Sequence, residues 1–384
     1  MRGLGWIVGA VALTGAMAAP RAAAADTMDP ALARLVTTTN CRVTNAASGG
    51  VYYNPTSGFT PCGTDDAAFA KLMAQYGAAI APTAMHSART TGYGGFELAI
   101  EAAFTSIDTG STSCQPGGSG CNYWQKGTQG PQNAINQNFS SVNQSPPGML
   151  QLYAIKIRKG FPLGFELAGN FGYLAQSSIY TIGADVRWSL FEGFRTGIPA
   201  IFPELAVGGG VRTITGTDQF QLTVASADAQ ISKPIPIAGT VVLTPWVGYQ
   251  YLRIFGDSGL IDLTPNTDAS NYCGFTGPNT PANPDPSKKG VYDGQPVCKG
   301  GSSADFNNTV VFNSARLNRH RILAGLELRV QMIKIGGQFL YDVVDPGSAT
   351  TVDATTLSTV YNNVNPYAGV NRQMTLAFDV GAVF

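Results

Sequence analysis

What most limits this chain is a period-two alternation of apolar and polar residues, recurring in segments of about ten to thirteen residues from Phe96 to the end. Alternate residues of a strand face opposite ways, whereas a helix repeats every 3.6 residues. Phe96, Leu98, Ile100, Ala102 and Phe104 fall on one face, and Glu97, Ala99, Glu101, Ala103 and Thr105 on the other. Met374, Leu376, Phe378, Val380, Ala382 and Phe384 alternate in the same way with Thr375, Ala377, Asp379, Gly381 and Val383. Segments of this length suit tilted strands that cross a bilayer in about 9–11 residues. After residue 25 no apolar run reaches the roughly 20 residues of a membrane helix, so a helical bundle in the membrane is excluded. Charge is balanced at 24 Lys+Arg against 24 Asp+Glu, and charged residues make up only 12% of the chain, which excludes a basic nucleic-acid binder.

The alternation predicts ten strands, at 95–106, 149–159, 163–174, 178–190, 203–215, 218–231, 238–254, 317–330, 333–344 and 373–384. Connections after the second, fourth, sixth and eighth (160–162, 191–202, 232–237, 331–332) are short or compact. Those after the first, seventh and ninth (107–148, 255–315, 345–372) are long and rich in Gly, Asn, Ser and Pro. Short connections after the third and fifth weaken this contrast without reversing it. The expected fold is all-β: a transmembrane antiparallel up-and-down barrel of about ten strands, residues 95–384, with long extracellular loops and both termini periplasmic. A count of twelve stays open if Val310–Asn313 belongs to a further hairpin, and the facing of the seventh strand is open because Pro245 lies within it. Aromatic residues predict two girdles. Phe96, Phe161, Phe165, Trp188, Phe202 and Phe384 lie near one rim, and Phe104, Phe171, Tyr173, Tyr180, Phe220, Tyr249 and Tyr341 near the other.

Residues 1–25 carry Arg2, an apolar stretch from Leu4 to Leu13 and terminal alanines, the pattern of a signal peptide with cleavage after Ala18 or, preferred because Asp26 follows, after Ala25. Residues 26–94 are expected to form a periplasmic segment. In it Thr64 caps a short amphipathic helix that carries Phe69, Leu72, Met73, Tyr76 and Ile80 on one face. Three readings apply to that segment: a cap ahead of the first strand, a plug in the lumen, or a surface packed on a neighbour. Six cysteines form three local pairs, Cys41/Cys62, Cys114/Cys121 and Cys273/Cys298, which suggests loop-stapling disulfides. No Cys-x-x-Cys occurs and the two histidines are far apart, so neither a metal site nor a cofactor is expected.

The closing segment Met374–Phe384, with its terminal Phe, resembles that of bacterial outer-membrane β-barrel proteins, and the resemblance covers roughly residues 95–384. It implies export, reading of Phe384 by the barrel-assembly machinery, and insertion among outer-membrane lipids of a Gram-negative cell envelope.

With apolar faces toward lipid, the lumen would be lined by Glu97, Glu101, Lys156, Arg158, Glu166, Asp185, Arg187, Arg212, Arg321, Glu327, Arg329, Lys334, Asp342 and Asp379. Lys or Arg facing hydrocarbon at mid-membrane would cost about 2–4 kcal/mol each. Opposite charges in so narrow a barrel are expected to pair, leaving either a charge-lined solute path or an ion-paired filling. The leading expectation is a narrow, porin-like passive channel for small solutes. The alternative is a non-conducting anchor whose stapled loops, with Tyr123, Trp124, Tyr272, Phe275 and Tyr292, bind an extracellular partner. An enzyme is not expected, because His320 shares the outward face of Ile322 and no acid–His pairing of the outer-membrane protease type surrounds it. The loop carboxylates Asp262, Asp268, Asp285 and Asp293 lack the spacing of a calcium loop.

Overall fold

The computed structural model describes residues 27–35, 41–43, 51–53, 64–110, 114, 120–132, 140–191, 202–262, 273–275, 296–298, 309–348 and 366–384. Residues 1–25, expected to be a signal peptide, and Cys62 lie outside the described residues, as do the side chains of Cys41, Cys273 and Cys298.

Ten antiparallel strands close into one barrel. They are β1 (Phe96–Ser106), β2 (Met149–Gly160), β3 (Phe165–Leu174), β4 (Tyr180–Ser189), β5 (Glu204–Thr215), β6 (Phe220–Ser232), β7 (Val241–Ser258), β8 (Ala315–Val330), β9 (Ile333–Asp342) and β10 (Met374–Val383). Each pairs with its sequence neighbours, and β10 pairs with β1 from Val383 opposite Glu97 to Thr375 opposite Thr105, which closes the ring. Closure leaves no unpaired edge, the condition for a sheet to sit in hydrocarbon. The segment proposed for a further hairpin does not enter the wall: Thr309–Val310 pairs with Ile261–Asp262 in a separate ladder, so the barrel has ten strands.

Faces follow the alternation. Leu98, Ile100, Ile155, Ile157, Leu167, Ile182, Ile322, Ile335, Phe378 and Val380 are exposed on the outside, while the intervening residues are buried inside. In β7, Val247 and Tyr249 face outward and Trp246, Gln250 and Leu252 inward, which fixes the register left open by Pro245. Phe165 stacks on Trp188 at 5.6 Å near one rim, and Phe171 on Tyr180 at 6.0 Å toward the other. Phe220 departs from the predicted girdle: its ring is buried in the lumen, 5.7 Å from Tyr76. The fold is thus that of an outer-membrane β-barrel, apolar and aromatic outside, with its charges inside. We call the end bearing Phe384 the closing end and the opposite one the loop end.

Candidate functional site

The lumen is occupied by the chain's own N-terminal segment. Helix α1 (Asp66–Ile80) begins at Asp65, whose carboxylate accepts the Ala68 N–H at 3.0 Å, so the cap falls one residue after the predicted Thr64. Its end is set by Pro82, which disfavours helical geometry at Ala81. The helix is buried on nearly every side, and only Asp66, Ala67 and Lys71 are less than fully enclosed. A helix buried all round must be nearly apolar all round, which its alanines and Gly77 allow, and its one buried amide, Gln75, accepts from the Asp108 N–H at 2.8 Å. Gly77 also permits close approach to the wall, since a Cβ there would lie 2.6 Å from Ile254 Cγ2.

α1 starts at the loop end, where the Asp66 carboxylate accepts from the Asn313 backbone N–H at 2.9 Å and its Nδ2 at 2.8 Å. Phe69, Leu72, Met73, Tyr76 and Ile80 pack against inward-facing Leu150, Leu152, Phe220, Leu222, Val224, Leu252, Ile254 and Leu317. Full burial of each such side chain stabilises by about 1.5–3 kcal/mol. This half of the lumen is an apolar core, where the sequence had suggested a charge-lined interior throughout.

From Ala81 the segment is extended and the wall turns polar. Arg321 donates to the Ala78 carbonyl at 2.9 Å in the last turn of α1, placing a cation at the negative end of the helix, and Arg319 to that of Ala74 at 2.8 Å one turn earlier. Gln250 reaches the Pro82 carbonyl at 2.8 Å and Lys156 the Thr83 carbonyl at 3.0 Å. Arg158 and Lys334 both donate to the Met85 carbonyl, at 3.1 and 3.3 Å, and Arg187 to that of Ser87 at 3.3 Å. Backbone N–H groups are also held: Ala88 by Ser232 Oγ at 3.0 Å and Thr91 by Glu166 at 2.9 Å. A chain without secondary structure leaves its backbone groups unpaired, and here the wall side chains supply the partners that water cannot.

The same wall groups are paired with one another. Lys334 lies 2.6 Å from Glu97 and 2.8 Å from Asp379, and Arg158 is 3.2 Å from Glu97. Lys156 pairs with Glu101, Arg212 with Asp185 at 2.7 Å, and Arg187 with Asp228 at 3.6 Å. Asp342 takes both Arg319 and Arg321, the latter at 3.5 Å. His86 Nε2 sits 3.4 Å from Glu166, and the Ser87 N–H meets Glu327 at 3.5 Å. Of the fourteen sequence-derived lumen residues, eleven are fully buried inside. Asp185 and Glu327 are half-buried, and Arg329 lies exposed at the closing rim.

Sequence reasoning missed Arg319, Asp228, Gln250, Thr83 and His86. Arg319 and Asp228 share the inward parity of Arg321 and Gln230, so the alternation itself would have found them. Thr83 and His86 lie in a stretch without periodicity and left no signal. Beside the plug, a closing-end cavity of about 170 Å³ is lined by His86, Glu97, Arg158, Glu166, Glu327 and Lys334 among others.

The loop end is capped. Helix α2 (Tyr123–Gly127) buries Trp124, whose ring lies 4.8 Å from Tyr76 and whose Nε1–H donates to Gln75 at 3.0 Å. Trp124 is therefore a lid contact and not part of an outer surface. Residues 27–35 lie here too: the Met28 N–H donates to the Gln176 carbonyl at 2.8 Å, and the Leu32 N–H to Gln219 at 2.8 Å. Burial lowers the Arg34 guanidinium pKa to about 10, with Nε donating to the Lys126 carbonyl at 2.8 Å. Burial raises the Tyr367 phenol to about 12 while its hydroxyl donates to the Arg316 carbonyl.

Residues 66–91, expected within a periplasmic segment, lie inside the barrel, which fits the plug among the three readings: the loop-end lumen offers α1 an apolar seat. Residues 27–35 lie at the loop end and Phe384 at the closing end, so these two stretches stand at opposite ends of the barrel. Cys114 and Cys121 are disulfide-bonded, and Cys273 stands directly opposite Cys298 in a short ladder. His320 lies on the outer face, its Nδ1 in contact with the Tyr249 hydroxyl.

No protein-family model and no curated protein matches the chain. Among solved structures it is similar to Ail, the attachment invasion locus protein of Yersinia pestis, in complex with the heparin analogue sucrose octasulfate, at 10% identity over 76% of this chain and 100% of that one, TM-score 0.24. The outer membrane protein Omp33 of Acinetobacter baumannii matches at 7% identity over 76% and 99%, TM-score 0.22. The outer membrane protein opdK of Pseudomonas aeruginosa matches at 9% identity over 76% and 100%, TM-score 0.15. Scores this low carry no functional argument, and the fold stands on the strand pairing described above.

Proposed function

We propose that this barrel is a non-conducting anchor in the outer membrane of a Gram-negative cell, closed by its own N-terminal segment and displaying its loop end to the exterior. On this reading residues 1–25 direct export, the barrel-assembly machinery reads Phe384, and outer-membrane lipid surrounds the wall. Phe384 then lies on the periplasmic side and residues 27–35 on the outside. The activity is binding of an extracellular partner through the loops, with no catalytic role. The observation that carries the reading is the series of wall donors on the plug carbonyls of Ala74, Ala78, Pro82, Thr83, Met85 and Ser87. A porin-like solute channel is the second reading, favoured by the polar seat of residues 81–91, and it requires the plug to leave.

Single-channel recording separates the two. The full mature protein in a planar bilayer is expected to be silent, and the same barrel lacking residues 26–94 to open. Steady openings of the full protein would overturn the anchor and favour the channel. Heat-modifiable migration on gels verifies that both proteins are folded barrels. Replacing Phe384 with Ser is expected to lower assembly of that folded form, and unchanged assembly would remove its role as assembly signal.

A further inference from the structure

On the outer wall, β5 to β9 enclose an apolar groove of about 570 Å³. Its floor is shallow where Ala229 and Ala324 place only methyl groups on the lipid-facing surface, and Ile231, Val247, Ile322 and Phe339 stand around it. The volume falls within the roughly 300–1,000 Å³ of small-molecule sites. Toward the loop end the same outward rows change character. Tyr249 and Tyr251 flank His320, the latter with ring centroids 5.3 Å apart, and the outward row of β7 continues through Arg253 and Phe255.

Two guanidiniums, of Arg253 and Arg316, each lie 5.6 Å from the centroid of the Phe255 ring. Arg316 is neutralised by Asp257 through hydrogen bonds of 2.8 and 3.1 Å. Arg253 instead donates to the Asn318 amide oxygen at 2.7 Å and pairs with no carboxylate among the described residues. One positive charge therefore remains, held in place by a ring and an amide, on a membrane-facing surface where an uncompensated charge is costly. The amide nitrogen of Asn318 adds a donor beside it. Four residues of strand separate Tyr249 from Arg253, about 13 Å, so the cation sits beyond the groove toward the loop end.

We propose that this face is a binding site for an anionic lipid, with one acyl chain in the groove, the aromatic residues at the glycerol or sugar level, and a headgroup phosphate on Arg253 and Asn318. Charge complementarity selects the occupant: an apolar groove alone would accept any chain, but the unpaired guanidinium favours a phosphate-bearing lipid over a zwitterionic one. The inference rests on the membrane-spanning reading and on the loop end facing the anionic leaflet.

The test is native mass spectrometry of the folded full-length protein released from nanodiscs that contain equal parts of lipid A and phosphatidylethanolamine. Wild type is expected to retain one lipid A at least tenfold over phosphatidylethanolamine. Arg253→Gln is expected to abolish that preference while some lipid stays bound. Ala324→Phe, which fills the groove, is expected to remove retention of both lipids, and a site for free phosphate alone would not respond to it. Arg329→Gln, on β8 at the closing rim, is expected to change nothing. Equal retention of the two lipids by wild type, or an unchanged preference in Arg253→Gln, would overturn the proposal. A protein that fails to insert into nanodiscs would overturn the membrane reading and this inference together, whereas insertion without preference would overturn the inference alone.

Discussion

The two halves of the lumen hold the same plug by opposite means. At the loop end a regular helix satisfies its own backbone, so the wall need offer only Phe220, Leu222, Leu252, Ile254 and their neighbours. At the closing end residues 81–91 satisfy almost none of theirs, so the wall must offer Lys156, Arg158, Arg187 and Lys334, and these cations are in turn paired with Glu101, Glu97, Asp228 and Asp379. The difference teaches that a barrel's interior chemistry is set by the secondary structure of what fills it. Helices call for methyl groups and extended chain calls for charge.

If that is right, damage in the two halves should differ in kind. A loss as large as any is expected from Lys334→Met, which removes the cation shared by Glu97 and Asp379 and one of the two donors to the Met85 carbonyl. Glu97 and the Met85 carbonyl keep Arg158, so the loss falls on Asp379; it should cost about 3 kcal/mol, read as a shift in the urea midpoint of the refolded barrel, and a shift worth less than about 1 kcal/mol would break the ion-paired view of that half. Phe69→Ala opens a cavity in the apolar half and should cost about 3 kcal/mol, with faster amide exchange in α1 and unchanged exchange in residues 81–91. Spreading of the effect to 81–91 would show the halves to be one cooperative unit. Arg158→Lys keeps the charge but loses the fork that spans Glu97 and the Met85 carbonyl, and about 1–2 kcal/mol is expected from the same titration. The smallest effect belongs to Asn313→Ala, which removes one exposed hydrogen bond to Asp66 at the helix start and should cost at most about 1 kcal/mol. A larger loss would mean that the helix is held from above and not by its apolar seat.

Most of the wall was legible because a two-sided strand writes its environment into every second residue. Each predicted strand lies within four residues of the observed one, including β7 despite Pro245. The helix was legible too, through the spacing of Phe69, Leu72, Met73, Tyr76 and Ile80. Its location was not. An apolar helical face reports that it is buried without naming the surface that buries it, and the complementary signal was hidden. Phe220, Leu222 and Val224 fit the alternation equally well as lipid-facing or helix-facing residues. Residues 81–91 were illegible for the opposite reason, since their partners bind backbone carbonyls, which every sequence carries.

The path of the chain through the barrel has a kinetic meaning. α1 and residues 81–95 descend inside the lumen from loop end to closing end, and β1 then climbs back as part of the wall. β1 is also the strand that seals the ring against β10. Chains rarely thread a closed loop, so the leader must already lie in its seat when the last seam zips. Once sealed, it can withdraw toward the closing end only by drawing residues 27–35 through the bore or by parting β1 from β10. The order of synthesis is thus an order of assembly, and the seam serves as the latch on a strand of chain that went in first.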